Sequence, residues 1–129
     1  MRRAAFATLS LVPVLLLGGY LATYGHTTTT VAEVERDVER GLPVGSSRHE
    51  IESWLAIHGI EFSFAEEPGS VSTVLAAVPD IGRYPSVVTA IVRDTDRSLW
   101  VTGSIQLYFL LGADDRLQKT IVRWVGTGP

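Results

Sequence analysis

The feature that most constrains this chain is a change in the spacing of its apolar residues at Gly59. Before that glycine they recur at helical spacing, and after it they alternate. The clearest run follows Arg97. Leu99, Val101, Ile105, Leu107, Phe109 and Leu111 share one parity, while Ser98, Thr102, Ser104 and Gln106 hold the other. A strand so patterned has one dry face and one wet one. Gly103 lies on the dry parity, where it marks a bulge or leaves room for a large side chain such as Trp54.

Two helices precede the strands. Thr30-Val31-Ala32-Glu33 has the form of a capping box, and Val31, Val34, Val38 and Leu42 then recur on one stripe until Gly41 and Pro43 end the helix. Ser47-Arg48-His49-Glu50 is a second box, with Val44 placed to staple the entering chain, and Ile51, Trp54, Leu55 and His58 form its stripe. Strands follow from Ile60: Phe62 and Phe64 alternate with Glu61 and Ser63, Val71 to Val78 is apolar on both sides, Pro79 to Pro85 is a loop, and Ser86 to Arg93 is a further run. Asp94-Thr95-Asp96-Arg97 and Gly112 to Arg116 are turns, and Leu117 to Val125 is the last strand. The expected fold is α+β, two helices packed on one face of an antiparallel meander of four to five strands.

Residues 1–25 form a separate segment. From Ala4 to Gly25 no residue is charged, and Arg2 and Arg3 precede the run. As a helix at ~1.5 Å per residue it reaches roughly 33 Å, enough for a ~30 Å hydrocarbon core. The arginines keep the N-terminus in the cytoplasm and place the rest outside, so the expected location is the bacterial cytoplasmic membrane, single-pass. The rival is a cleaved signal peptide, which releases a periplasmic or secreted domain. Residues 26–30 are a threonine-rich spacer, and 31–129 are one domain.

Past the anchor, nine basic groups face fourteen acidic ones, which argues against nucleic acid as a partner. The absence of cysteine excludes disulfides, thiolate zinc sites and an acylated lipobox. His49-Glu50 lacks a second histidine four positions on, because Ser53 stands there, and His58 projects elsewhere. Ser46 and Ser47 follow Gly45 without the second glycine of a nucleophile elbow. Asp94 and Asp96, and the adjacent Asp114 and Asp115, read as turn residues. No catalytic residue, metal ligand, cofactor site or small-molecule ligand is expected. The candidate protein-binding face consists of Trp100 and Tyr108, on the polar parity of their strand, joined by Trp124 from a neighbour.

The stretch Leu42 to Leu55, with Pro43-Val44-Gly45-Ser46 opening a helix, and the closing Thr127-Gly128-Pro129 resemble small uncharacterised bacterial membrane or secreted proteins. More loosely, the helix-helix-strands order is similar to the SmpA/BamE-type outer-membrane lipoproteins and the β-lactamase inhibitor protein fold. The chain departs from those lipoproteins in having no cysteine to acylate. The resemblance implies a non-catalytic scaffold or binding module. The expected function is therefore a membrane-anchored interaction module meeting another envelope protein; the alternatives are a secreted inhibitor of an enzyme and a small hydrolase.

Overall fold

Thr30 and Ser47 each open a helix in the computed structural model, which describes residues 30–97 and 102–127. Helix α1 spans Val31–Gly41 and α2 spans Arg48–Ile57, and both begin with a complete capping box. The Thr30 hydroxyl accepts from the Glu33 amide at 3.2 Å, and the Ser47 hydroxyl accepts from the Glu50 amide at 3.1 Å. In each case the glutamate returns the favour to the cap's own N–H, so donors that the first turn leaves unmet are satisfied. The Trp54 indole lies over Gly41, where any Cβ would collide with it, so the glycine lets the two helices approach. Val44 is no staple, since it stands 72% exposed.

Four strands form one antiparallel sheet in sequence order: β1 Glu61–Glu66, β2 Ser86–Arg97, β3 Thr102–Leu111 and β4 Leu117–Thr127. The α+β class follows, with α1 and α2 on one face. There Val34, Val38, Leu42, Ile51 and Leu55 meet Val88, Ala90, Val92, Ile105, Leu107, Phe109 and Leu111. The described part of the dry parity thus faces the helices as its pattern predicts, while Leu99 and Val101 lie outside the described residues.

The second face is not simply wet. Val71 to Val78 forms no strand; Ser72 caps a short helix α3, Thr73–Ala76, by accepting from the Leu75 amide at 3.2 Å. An apolar run of this length fits a strand or a helical turn equally well, and the cap decides it. Turns of 3-10 helix at Pro68–Ser70 and Ile81–Arg83 flank α3, entered through Glu67 and Asp80 in left-handed backbone. The whole connection lies across the sheet, so Leu75 buries against Val87, Tyr108 and Leu110, with Val74, Val78 and Ile121 at the margin. Nor do Asp94 to Arg97 turn the chain: β2 continues through them, with its pairing irregular between Arg93 and Arg97.

A register shift sets the last strand. Leu110 pairs with Lys119 and Leu111 with Leu117, so Gln118 is an extra residue. Beyond it the parity of β4 is reversed, and Val122 and Trp124 join the helix-side face. Trp124 lies across Gly103 and Gly126; a Cβ on Gly103 would stand 2.5 Å from the indole. The room left by Gly103 is for Trp124, not Trp54.

The turn between α1 and α2 is fastened to the β3–β4 hairpin. The Gly45 amide donates to the Leu117 carbonyl and the Leu117 amide to that of Ser46, both at 2.8 Å, while the Arg48 amide donates to Asp115 at 3.0 Å. The Arg116 guanidinium adds a bond of 2.9 Å to the Gly45 carbonyl. No helix among the described residues is long and apolar enough to cross a membrane; residues 4–25 lie outside them.

Two substitutions separate packing from polar burial. Phe109→Ala, in the fully buried centre of β3, should lower unfolding free energy by about 3–5 kcal/mol in urea titration. Ser86→Ala should leave it unchanged or raise it by up to about 1 kcal/mol, because the buried Ser86 hydroxyl has no hydrogen-bond partner among the described residues.

Candidate functional site

Of the aromatic residues singled out from the sequence, Tyr108 and Trp124 do not share one surface. Tyr108 is 6% exposed, buried on the second face with its hydroxyl donating to Gln106 Oε1 at 2.7 Å. Trp124 is 41% exposed but lies on the opposite face, because Gln118 inverted the parity of its strand. Trp100 lies outside the described residues. An exposed patch combining Tyr108 with Trp124 is therefore corrected: the sheet separates them, and the connection through α3 covers the tyrosine.

The other candidate groups are likewise dispersed. His49 sits near the start of α2, 3.5 Å from the Ser53 hydroxyl, whereas His58 caps the other end of the helix. His58 is buried with its ring stacked on Trp54 at 3.9 Å, and its Nδ1 lies 2.8 Å from the Trp54 carbonyl. The Ser46 hydroxyl donates to the Pro43 carbonyl at 2.7 Å, and Ser47 serves as the helix cap. Asp114 accepts from the Arg116 amide at 3.2 Å within the hairpin turn, where Asp115 adopts left-handed backbone. Among the described residues, no three His, Asp or Glu side chains converge as metal ligands would.

What the fold does create is a cleft of about 430 Å3 on the second face, beside β1. The α3 connection covers only part of that face, and its forward lip, Val71 and Ser72, stands over strand positions that remain open. Ser63, Thr89 and Ile91 line it from β1 and β2, and Gln106 and Tyr108 line it from β3. These are register partners on one face: Ser63 pairs with Thr89, which pairs with Tyr108, and Ile91 pairs with Gln106. The Ser63 and Thr89 hydroxyls are 2.9 Å apart. The lining is mixed, since Val71 is 40% exposed among these hydroxyl and amide groups, whereas Phe62, 39% exposed, shares the helix-side face with its register partners Ala90 and Leu107.

One end of the cleft carries Glu61, whose Oε2 accepts from Arg93 Nε at 2.9 Å. That hydrogen bond and the guanidinium charge hold the Glu61 carboxyl below its ordinary value of 4.5. Elsewhere, the bonds that Glu50 receives from Ser47, backbone first, lower its carboxyl in the same way. Chemically the cleft offers hydroxyl, amide and apolar contacts over a pleated floor, with the Glu61 carboxylate at one end.

The sequence did contain a pointer to this face. Val87, Tyr108, Leu110 and Ile121 are too apolar for a wet surface and require a cover. No protein-family model, curated protein or solved structure matches the chain.

The pH dependence follows from the two carboxylates. A folded-state value below the unfolded one contributes stability above the unfolded value, and that contribution is lost as pH falls through the folded value. Lowering the pH from about 5 to about 3 should therefore reduce the melting temperature, and the reduction should be shallower when Glu50→Gln and Glu61→Gln are combined. Both groups are exposed, so solvent screening keeps the effect small.

Proposed function

We propose that this chain is a non-catalytic protein-interaction module of the bacterial envelope, held at the outer side of the cytoplasmic membrane by residues 4–25, and that it receives its partner in the cleft beside β1. The observation that carries the reading is the partial cover of the second sheet face. Segment 67–85 dries Val87, Tyr108 and Leu110 but stops short of Ser63, Thr89 and Ile91, leaving an open, mixed-polarity floor under an apolar lip. Clefts of this kind, walled by one connection and floored by fixed strands, bind with little reorganisation.

Two sequence features support the location. The uncharged run from Ala4 to Gly25 has spanning length, and the arginines before it favour the cytoplasmic side. The likeness to SmpA/BamE-type proteins, read from the sequence alone, implies binding rather than catalysis.

A photo-crosslinking amino acid placed singly at Val71, Ser63 or Val44 of the full chain tests the binding surface. Adducts with another envelope protein should form from the first two positions and not from Val44, which is exposed away from the cleft. Equal labelling from all three, or none from Val71, counts against the reading. Fractionation should recover the chain in membranes with its N-terminus retained, whereas a mature protein beginning near His26 would remove the anchor.

A further inference from the structure

We propose that β1 takes the partner by strand addition: an extended, basic segment of another protein pairs with the outer edge of β1 and sends alternate side chains into the cleft. This deepens the interaction-module reading and rests on it. The two edges of the sheet are treated differently. β4, at one edge, carries the extra residue Gln118 and Lys119, and the bonds from Gly45 and to Ser46 occupy its first residue. Bulges, lysines and covering loops are the usual means of blocking an edge. β1, at the other edge, shows none of them among the described residues. Glu61 to Glu66 pairs with β2 in unbroken register, and the strand contains neither Lys nor Pro. The bonds made by Ile60 and Glu67 to Leu55 and Pro85 lie at its ends. Every second residue of an edge strand turns both its N–H and its C=O outward, so this strand offers about three such pairs.

The position of the cleft and the local charge select the occupant. A strand laid against β1 alternates its side chains between the two sheet faces, so on one side they meet Ser63 and the Val71 lip, and on the other the exposed Phe62. Glu61, Glu66 and Glu67 give this edge an acidic rim, with Arg93 bound to Glu61. A second copy of this chain would bring the same glutamates to the seam, and like charges across paired strands oppose association. A segment with Lys or Arg at its ends and apolar or β-branched residues between them complements the rim.

Capped peptides tested on the full chain in detergent decide the point. The probe is Lys-Thr-Val-Thr-Val-Thr-Lys, compared with the same core ended by glutamates and with a Lys-ended form N-methylated at alternate backbone amides. Fluorescence anisotropy should show the Lys-ended peptide binding at least about tenfold more tightly than the Glu-ended one. N-methylation should abolish binding, and Glu66→Lys with Glu67→Lys should reverse the charge preference. Equal affinity for both charges, undiminished binding of the methylated form, or no binding of the Lys-ended peptide up to about 1 mM overturns strand addition. If Val71 still crosslinks to a protein in that case, the interaction module stands and only its mode of recognition fails. Sedimentation showing a dimer that Phe62→Lys dissociates would assign the edge to self-pairing and overturn the proposal.

Discussion

The structure depends on one strand being dried from both sides. In β3, Ile105, Leu107, Phe109 and Leu111 press against the two helices, while Tyr108 and Leu110 are sealed by the segment around Leu75. Each such side chain contributes on the order of 1.5–3 kcal/mol of transfer free energy, against which the chain's lost conformational freedom must be set. Burial on both faces also fixes register. Sliding β3 by one residue would bring Ser104 and Gln106 under the helices.

The proposed binding surface is what this arrangement leaves over. The connection between β1 and β2 is long enough to cover the apolar centre of the second face but not the strand positions toward the β1 edge. A floor of Ser63, Thr89 and Gln106 tolerates water, so nothing in the burial energetics demands that the cover extend further. The same economy shapes the edges. β4 is bulged and fastened at its start by the turn between the helices, a contact that also ties α1 and α2 to the hairpin. β1 retains an unbroken ladder on its inner side, and among the described residues no strand pairs with its outer side.

The helices were legible because their determinants are local: Thr30 with Glu33 and Ser47 with Glu50 exchange hydrogen bonds across one turn, whatever the rest of the molecule does. The inward parity of β3 was legible too, since four large apolar residues at period two admit one orientation. Three features were not. The run from Val71 to Val78 satisfies both periods, so its cap and the surface awaiting it had to choose. The β2 strand runs on through Asp94 to Arg97, where the ladder is irregular and resumes at Arg97 opposite Thr102, a continuation that turn-forming side chains do not reveal. The extra residue at Gln118 reversed the faces of β4, moving Trp124 away from Tyr108.

By itself, then, the amino-acid sequence determined the class of the domain, the starts of both helices, the dry side of the long strand and the uncharged character of residues 4–25, because each rests on spacing or on hydrogen bonds between near neighbours. The location of the cleft, the burial of Tyr108 and the difference between the two sheet edges were decided only by the tertiary structure. They arise where segments distant in the chain compete for the same surface, and a single added residue in one strand changes which side chains meet there.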